Sequence, residues 1–348
     1  MKFVHLCKTK PPSRGKKILI IGAGPAGLAA AGFLVCQGYD IDMVDKLPLP
    51  GGLMTFGIPE IRIKKERVME GIKELSDVFD VKFILRTKVI CCGEGRHEGD
   101  EFVSKKVSFN DIVPNYDATL IATGTWLSRP FKVSGANLKG VYPALEYLIR
   151  LNAHRLGFLN ADEVPKIGKK VAIIGGGLTA VDAAFEALEQ GAEVYMVYRR
   201  TKDLAPAGSK EIDKLIEKGV KFMELVNPKS VIGEKDRVKG LELIRMRLGE
   251  PDASGRPRPI PIPGTEFILE VDTVIYALGE LSTPPCRSEE CCGIKLDKWG
   301  GIIVDENFMT TRKGVFAAGD VVTGPSLIGK AMGSGLKAAR AIHKYLSG

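Results

Sequence analysis

The 348-residue sequence predicts an α/β fold in which two parallel-sheet domains are nested in one chain. The main observation is an internal repeat at a spacing of 153 residues, between 16–46 (KKILIIGAGPAGLAAAGFLVCQGYDIDMVDK) and 169–200 (KKVAIIGGGLTAVDAAFEALEQGAEVYMVYRR). Each copy begins with an apolar run rich in β-branched residues, which is typical of a buried parallel strand. A glycine turn, a helix of small apolar residues and a second strand follow. This is the order of a βαβ unit, so we predict two Rossmann-type dinucleotide-binding domains.

The other predicted elements fit one domain inserted into another. Periodicity predicts a helix over 64–79, strands over 81–90, 117–124, 271–280 and 301–305, and a terminal helix from about Leu327. We therefore predict a first domain that uses both chain ends, 1–127 and 280–348, and an inserted domain at 128–279. The proline-rich segment 250–264 is predicted to form a surface hairpin or loop.

Composition excludes several classes of protein. Hydrophobic residues make up 45% and charged residues 26% of the chain, which excludes extended disorder. The formal net charge of +8 fits phosphate-bearing ligands, but the basic residues are scattered, which argues against a nucleic-acid-binding face. The uncharged run 18–36 contains four glycines and a proline, so we interpret it as a strand, turn and helix rather than a signal peptide or membrane span. We expect a cytoplasmic protein.

The first glycine turn has the full context of a dinucleotide-binding motif. Gly22, Gly24 and Gly27 follow a buried strand and open a helix. The first glycine permits the tight turn, the second lets a pyrophosphate approach the backbone, and the third lets helix pack on strand. Asp45, at the end of the second strand, can accept hydrogen bonds from ribose hydroxyls. A purely structural glycine turn is the alternative.

The C-terminal part of the chain favours FAD as the dinucleotide. GVFAAGD (314–320) places Asp320 after a strand and a glycine, where its carboxylate can bind the ribityl chain. GPSLIGKAMGSGLKAA then begins a helix whose positive end suits the N1/O2 edge of a reduced flavin. PLPGGLMTFGIP (48–59) can place backbone against the isoalloxazine ring. The alternative for the C-terminal segment is an ordinary core strand and a surface helix.

Six segments together resemble a flavoprotein family. GAGPAG, PGGLMTFGIP, ATGTW, GGGLTAVDAA, VYRRT and VFAAGDV resemble, in that order, flavoproteins typified by the small subunit of glutamate synthase, and the resemblance covers nearly the whole chain. It implies an FAD-dependent oxidoreductase with a thioredoxin-reductase-like pair of domains. It also implies FAD binding by Gly22, Gly24, Pro25, Ala26, Asp45, Gly52, Gly57, Ile58, Val89, Thr123, Gly124, Gly319 and Asp320, with Val89 as the backbone contact to adenine. The predicted FAD site also includes Lys46, Leu53, Ser326 and Leu327.

The second copy of the repeat differs from the first at the position of the ribose-binding aspartate. Tyr198, followed by Arg199 and Arg200, stands at the position of the first copy's aspartate. A 2′-phosphate requires loss of the carboxylate and gain of guanidinium groups. Gly177, Arg199 and Arg200 are therefore predicted to bind NADP(H), as this region does in the resembling family, although Leu178 replaces the usual asparagine. The alternative is a domain retained for packing or docking.

Five of the seven cysteines form two groups, Cys91-Cys92 and Cys286-x4-Cys291-Cys292, within the split domain. Two adjacent pairs exceed what chance predicts, and the sequence contains no CxxC. We predict that Cys91, Cys286, Cys291 and Cys292 bind a [4Fe–4S] cluster, with Cys92 as the replacement candidate, because such clusters need several thiolates. A vicinal disulfide, redox thiols or inert cysteines are the alternatives. Of the others, Cys36 is expected in the core and Cys7 is not assigned.

The length and the cysteine doublets point to a narrower resemblance. Without the N-terminal iron–sulfur domain of glutamate synthase small subunits, the chain resembles the A-like subunit of the sulfur-oxidising heterodisulfide-reductase-like complex. That resemblance implies FAD, a [4Fe–4S] cluster, a homodimer and further subunits. The leading interpretation is a subunit that relays electrons between FAD and the cluster. The alternatives are an NADPH-dependent oxidoreductase that passes hydride to FAD, and a non-catalytic flavin-binding assembly subunit. No side chain is assigned as acid, base or nucleophile.

Overall fold

The computed structural model describes residues 1–93, 95–251 and 255–348, which divide into two compact units. The first unit comprises Met1–Leu127 and Glu280–Gly348, and the second comprises Ser128–Gly279. The helices are α1 (Pro25–Val35), α2 (Leu53–Phe56), α3 (Lys65–Asp77), α4 (Phe109–Ile112), α5 (Ala144–Arg155), α6 (Leu178–Glu189), α7 (Ser209–Glu217), α8 (Glu289–Cys292), α9 (Asp320–Thr323) and α10 (Ile328–Ser347).

The strands of the first unit are β1 (Lys17–Ile21), β2 (Asp40–Val44), β3 (Lys82–Ile84), β4 (Thr87–Ile90), β5 (Lys105–Ser108), β6 (Ala118–Ile121), β7 (Thr125–Ser128), and, after the second unit, β17 (Glu280–Ser282) and β18 (Val315–Ala317). Between them come β8 (Val141–Pro143), β9 (Lys170–Ile174), β10 (Glu193–Tyr198), β11 (Lys221–Glu224), β12 (Val226–Glu234), β13 (Arg237–Pro251), β14 (Pro257–Pro261), β15 (Phe267–Leu269) and β16 (Thr273–Tyr276).

A five-stranded parallel sheet in the order β18-β6-β1-β2-β3 forms the centre of the first unit. The apolar residues of β1 are fully buried because β2 and β6 pair with the strand on both sides and helices cover its faces. In a parallel sheet the strands all end at one edge, and ligands bind in the crevice outside the carboxyl ends. The glycine turn, Asp45, Thr123 and the segment before Asp320 follow β1, β2, β6 and β18 at this edge.

Helix α10 packs very closely on α1. A Cβ atom at Gly335 would overlap the Ala26 carbonyl, and one at Gly319 would lie 2.8 Å from the Ala26 Cβ. Ala331 and Ala338 are buried in the same cluster. The C-terminal segment is therefore held against the helix that carries the first glycine turn.

We expect Gly335→Ala to lower the free energy of unfolding by about 1–3 kcal/mol, because the added methyl group forces the two helices apart. The control is Gly333→Ala on the same helix, where, apart from its chain neighbours and the backbone of α10, no heavy atom in the described part of the chain lies within 4 Å of the Cβ position. There, alanine should raise stability by about 0.4–1 kcal/mol through the lower entropy of the unfolded chain. Urea unfolding followed by circular dichroism measures both changes. A neutral Gly335→Ala would contradict the close packing.

The second unit also has a five-stranded parallel sheet, in the order β11-β10-β9-β16-β8. An antiparallel sheet in the order β12-β13-β14 accompanies it, and β15 pairs with β13. The proline-rich segment forms the hairpin of β13 and β14, in which Met246 lies opposite Pro261. Residues 252–254 of that segment lie outside the described residues.

Two predicted elements need correction. Residues 81–90 form two strands instead of one: β3 belongs to the main sheet, whereas β4 pairs with β5 in a separate parallel pair. Arg86 between them has a φ of 51°, and this left-handed residue redirects the chain. Residues 301–305 form no strand, and only an isolated bridge joins Leu296 to Ile302 in the described segment. Among the described residues, no helix has the length and apolar character of a membrane span.

Candidate functional site

The first glycine turn follows β1 directly. The N–H of Gly22 donates to the Val44 carbonyl at 2.8 Å, which fastens the turn to β2. Gly22 has a φ of 109°, and a Cβ atom there would overlap the Ala122 carbonyl, so only glycine fits. Gly24 is the N-cap of α1, and apart from its chain neighbours no heavy atom of the described residues lies within 4 Å of its Cβ position. The start of α1 therefore has room for a pyrophosphate that its unpaired amides can bind.

Asp45 connects the glycine turn to the end of β2. Its carboxylate accepts hydrogen bonds from the N–H groups of Ala23 (2.7 Å) and Leu47 (2.8 Å), one on each oxygen. Burial raises the pKa of Asp45, and the two N–H donors and Lys46 oppose that shift. Each carboxylate oxygen keeps a further lone pair, so the group is oriented in advance for the two ribose hydroxyls of a dinucleotide.

A cavity lies beside Asp45. Its lining includes the apolar Val44, Val89 and Pro285 and the polar Asp45, Lys46 and Thr123. The Oγ1 atom of Thr123 is buried and has no hydrogen-bonding partner in the part of the chain that the structure describes. An occupant with polar groups would satisfy it, since buried polar atoms are normally paired. The cavity includes Val89, the predicted adenine contact, and the binding of the adenosine half of FAD beside it stays a prediction.

A buried charged group borders this cavity. The Nζ of Lys46 lies 3.2 Å from the Asp100 carboxylate and 4.5 Å from the centre of the Trp126 ring, and it donates to the Glu98 carbonyl. Lys88 donates to the other Asp100 oxygen. Desolvation lowers the pKa of Lys46 to about 8, against the attraction of Asp100. Apart from Lys46, the sequence does not indicate this group, because its members come from separate segments without a recognisable spacing.

We expect Lys46 to make stability depend on pH. Its pKa is about 8 in the folded protein, whereas an unfolded lysine titrates near 10.4. The folded state therefore binds fewer protons between these values, so the contribution of Lys46 to the free energy of unfolding rises by up to about 3 kcal/mol as pH increases through this window. Lys46→Met should lose this rise in urea unfolding between about pH 7 and about pH 10, and Lys82→Met, at an exposed position of β3, is the control. Parallel pH profiles for Lys46→Met and the unmodified protein would contradict this expectation.

The residues predicted for the flavin side of FAD gather around Asp320. Gly319, with a φ of 76°, precedes α9, and its Cβ position lies beside Ala26 on α1. The Asp320 carboxylate accepts a hydrogen bond from the Ser326 hydroxyl at 2.6 Å, and burial raises its pKa while Ser326 opposes the shift. Leu327 is 55% exposed and precedes α10. Ser326 therefore orients the carboxylate that is predicted to bind the ribityl chain.

The segment PLPGG lies across the first glycine turn. The N–H of Gly51 donates to the Ala23 carbonyl at 2.7 Å. A Cβ atom at Gly52 would lie 3.0 Å from the Gly24 Cα. Leu53 then begins α2, and Gly57 and Ile58 follow that helix directly. The structure thus brings the predicted flavin-side backbone next to the predicted pyrophosphate position.

Lys65 contacts the backbone of this segment, a role that the sequence did not predict. Its ammonium group is buried and donates to the Met54 carbonyl at 2.7 Å and to the Ile58 carbonyl. The only available signal was its place on α3, where it shares a face with the buried Val68 and Ile72. A lysine on the apolar face of an amphipathic helix indicates a specific internal partner.

The second glycine turn repeats the first in the second unit. The N–H of Gly175 donates to the Val197 carbonyl at 3.0 Å, and Gly177 is the open N-cap of α6. The ring of Tyr198 packs against Gly176, whose Cβ position is 2.6 Å from a ring carbon, and its hydroxyl donates to the Leu204 carbonyl. Tyr198 therefore closes the position that a ribose-binding carboxylate occupies in the first unit.

The two arginines predicted to bind a 2′-phosphate have different environments. Arg199 is exposed. Arg200 is only 2% exposed, and its Nε donates to the Pro257 carbonyl at 2.8 Å. Arg200 therefore has a structural contact that the sequence did not indicate, and the binding of a 2′-phosphate by Arg199 and Arg200 stays a prediction.

Five cysteines converge in the first unit. The sulfur atoms of Cys91, Cys286 and Cys292 lie within 4.8 Å of one another, as do those of Cys91, Cys92 and Cys291. In the structure Cys92 is disulfide-bonded to Cys291 and Cys286 to Cys292, with Cα separations of 5.9 and 6.2 Å, while Cys91 is a thiol. Both pairings join cysteines that are not adjacent in sequence, which differs from the vicinal-disulfide alternative.

The donor set of this group fits a thiolate-bound metal once the disulfides are reduced. Apolar side chains such as Val113, Ile294 and Ile302 enclose it. Burial raises the pKa of the Cys91 thiol, and Arg312 and Asn110 oppose the shift. Several sulfur ligands select zinc or iron–sulfur clusters over magnesium or calcium. Four or five thiolates are then available, including all four predicted ligands.

The cysteine group adjoins the adenosine cavity. Cys91 follows β4, which carries Val89, and Cys286 follows Pro285. Both Val89 and Pro285 line the cavity, and the Cys91 N–H donates to the Pro285 carbonyl at 2.8 Å. The group therefore lies at the adenosine end of the predicted FAD path, away from the segments predicted to contact the flavin ring.

Cys36 is more than a core residue, which corrects the sequence-based expectation. It is disulfide-bonded to Cys7, with a Cα separation of 5.5 Å, and both residues pack against the core of the first unit. The bond joins the end of α1 to an N-terminal segment whose Phe3 and Val4 are buried. The sequence offered no sign of this pairing, because neither cysteine has a characteristic spacing.

The two α/β units, each with a glycine turn after a parallel strand, define a protein with two dinucleotide-binding-type domains, and the family comparison agrees. A family model described as pyridine nucleotide-disulphide oxidoreductase matches residues 16–335. The chain belongs to this family. It is an FAD-dependent oxidoreductase with a thioredoxin-reductase-like fold of two α/β domains.

Two sequence relatives and one solved structure are similar to nearly the whole chain. The glutamate synthase [NADPH] small chain of Halomonas elongata is 38% identical over 338 residues, which cover 95% of this chain and 68% of that protein. The NADP(+)-dependent formate dehydrogenase subunit beta of Moorella thermoacetica is 37% identical over 343 residues, or 97% of this chain and 45% of that protein. The structure of Mycobacterium tuberculosis FprA in complex with NADPH has a TM-score of 0.76 at 20% identity, covering 96% of this chain and 85% of that one.

The chain therefore spans about two thirds of the first relative and less than half of the second. The resemblance to glutamate synthase small subunits is confirmed. The narrower resemblance to a heterodisulfide-reductase-like subunit stays a prediction.

Proposed function

We propose that this protein is an NADPH-dependent flavoprotein that passes hydride from NADPH to FAD as part of a larger electron-transfer assembly. The observation that carries the proposal is the second glycine turn, which keeps an open N-cap at Gly177 while Tyr198 and the exposed Arg199 replace the ribose-binding carboxylate. A carboxylate there would repel a 2′-phosphate, whereas a guanidinium group binds it. The two relatives named for NADPH and NADP(+) support the same choice.

Hydride transfer from NADPH to FAD was the alternative interpretation of the sequence, and it takes the place of the leading one, electron relay between FAD and a cluster. FAD, when bound, accepts hydride from a nicotinamide and can release the electrons singly. The residues of this chain bind FAD and orient it. Asp45 and the start of α1 bind the ribose and pyrophosphate, Asp320 binds the ribityl chain, and Lys65 fixes the backbone predicted to contact the ring.

Anaerobic rapid mixing tests the proposal. Protein that contains one FAD per chain is mixed with NADPH or NADH, and the visible flavin absorption is followed. We expect NADPH to bleach the flavin, and NADH to require a concentration at least about tenfold higher, because it lacks the charge-assisted contact to Arg199. An unbleached flavin with both nucleotides would overturn the proposal.

The convergence of five cysteines favours a second function. We propose that Cys91, Cys286, Cys291 and Cys292 hold a [4Fe–4S] cluster when reduced, which would supply one-electron transfer. The thiolate-rich donor set and its enclosure by apolar side chains support this proposal. The position of the group beside the adenosine cavity, away from the predicted ring contacts, is the reason to place hydride transfer first.

Metal analysis of protein purified without oxygen tests the cluster. We expect about four iron atoms and four acid-labile sulfides per chain. Cys286→Ser should remove the iron, whereas Cys36→Ser, which alters the separate disulfide, should retain it. Less than about one iron per chain in the unmodified protein would overturn this second proposal.

The homodimer and the partner subunits of a heterodisulfide-reductase-like complex are further proposals of the same kind. Light scattering of the purified protein measures its oligomeric state, and affinity purification from the native source identifies subunits that bind to it. A monomer that purifies without partners would overturn both.

A further inference from the structure

Two polar residues contact the cysteine group from outside. The Nδ2 of Asn110 lies 3.5 Å from the Cys91 sulfur and donates to the Cys291 carbonyl at 2.9 Å. On its other side, the Asn110 Oδ1 accepts a hydrogen bond from Arg312 at 2.7 Å. The same Arg312 nitrogen donates to the Cys292 carbonyl at 3.1 Å. Asn110 and Arg312 thus contact three of the five cysteines.

Arg312 determines which way the Asn110 amide points. A guanidinium group has only donors, so the asparagine atom that faces it must be the oxygen. The NH2 group must then face the sulfur of Cys91. The guanidinium lies 5.2 Å from the centre of the Phe109 ring, which holds it in place through a cation–π contact. A hydrogen bond from Asn110 to Cys91 is therefore built into the site by its neighbours.

Cys91 is the sulfur at which such a contact has the most effect. It is the only cysteine that belongs to both groups of three sulfur atoms among the described residues. It is also a thiol where the other four form disulfides. Any metal centre assembled from either group would include Cys91 as a ligand.

We propose that Asn110 and Arg312 are positioning residues that make the reduction potential of a metal centre at these cysteines more positive. The inference rests on the second function proposed above. Reduction adds negative charge to the centre and its thiolates, and a hydrogen bond to a ligand sulfur stabilises that charge. Asn110 supplies the hydrogen bond to Cys91. Arg312 orients and polarises the amide and places a positive charge behind it.

A redox titration followed by electron paramagnetic resonance tests the inference on the full chain. Asn110→Leu removes the donor at similar volume, Asn110→Asp puts a carboxylate in its place, and Arg312→Lys keeps the charge but not the geometry. Asn115→Leu is the control, because Asn115 is exposed in the same part of the chain and donates to the Asp111 carbonyl at 2.9 Å. Iron, sulfide and FAD per chain are measured for every variant.

We expect all variants to retain the iron and FAD of the unmodified protein. The potential should become more negative in Asn110→Leu, more negative still in Asn110→Asp, and slightly more negative in Arg312→Lys. Asn115→Leu should leave it unchanged. If Asn110→Leu does not fold, as its lack of FAD would show, Arg312→Lys decides: a negative shift supports the inference and an unchanged potential overturns it.

The other outcomes distinguish failure of this inference from failure of the proposed metal centre. An unchanged potential in Asn110→Leu with full iron content would overturn the positioning role and leave the metal centre intact. Loss of iron from folded Asn110→Leu would also overturn it, since Asn110 would then be needed for assembly of the centre. Absence of iron from the unmodified protein would remove the metal centre itself, and the inference with it.

Discussion

The Asp45→Ala variant should purify without flavin and bind added FAD at least about 100-fold more weakly than the unmodified protein. The carboxylate is buried and already oriented by Ala23 and Leu47, so it can accept two ribose hydroxyls without reorganisation. Each charge-assisted hydrogen bond is worth about 1.5–3 kcal/mol, and the substitution removes both. Fluorescence titration of the apoprotein with FAD measures the change.

Stability should fall in the same variant. Removal of the carboxylate leaves the two backbone N–H groups of Ala23 and Leu47 without their acceptor, which costs about 1–3 kcal/mol for each buried group. The control is Asp40→Ala at the start of β2, because Asp40 is only partly buried, forms an ion pair with Lys10 and accepts a hydrogen bond from Ser13. These contacts should contribute less than about 1 kcal/mol. An Asp45→Ala protein that retains one FAD per chain would contradict the assigned role.

Arg199→Ala should raise the KM for NADPH by about 10- to 150-fold and leave the KM for NADH unchanged. The reason is that only NADPH carries the 2′-phosphate that the exposed guanidinium is proposed to bind. Steady-state reduction of an artificial electron acceptor with each nucleotide measures both constants. The control is Lys202→Ala, since Lys202 lies nearby in sequence and pairs with Asp213. An equal loss with NADH and NADPH would contradict the phosphate contact.

Arg200→Ala should act on stability, whereas Arg199→Ala should act on the KM for NADPH. Arg200 is buried and donates to the Pro257 carbonyl, so its loss leaves a cavity and removes a charge-assisted hydrogen bond. We expect the free energy of unfolding to fall by about 2–4 kcal/mol, with the ratio of NADPH to NADH activity retained. A changed ratio at unchanged stability would assign the phosphate to Arg200 instead.

The nucleotide-binding turns could be predicted from sequence because their geometry is local. A βαβ unit fixes the relation of strand, turn and helix within about 30 residues, so Gly22, Gly24 and Asp45 come together in any chain that folds this way. The position of Asp320 beside α1 also follows from the parallel sheet, whose strands end at one edge. Arg86 shows the limit of such reasoning: one left-handed residue divides a predicted strand between two sheets.

Side-chain partners that are distant in sequence could not be predicted. Asn110 and Arg312 are hydrogen-bonded across 202 residues, and nothing in either local segment marks the other. The pairing of cysteines is open in the same way, since several connectivities are compatible with one sequence. Arg199 and Arg200 are identical in type and both follow the end of β10, yet Arg199 is exposed and Arg200 is buried, a difference in environment that the sequence does not reveal.

The central claim is that one extended FAD lies between Asp320 and the cavity beside Asp45. Equilibrium binding of FAD and of FMN to the folded apoprotein tests it most directly, because FMN lacks the adenosine half that this cavity is proposed to hold. We predict one FAD per chain and an affinity for FAD at least about 100-fold higher than for FMN. Equal affinities for the two flavins, or no binding of FAD, would contradict the claim.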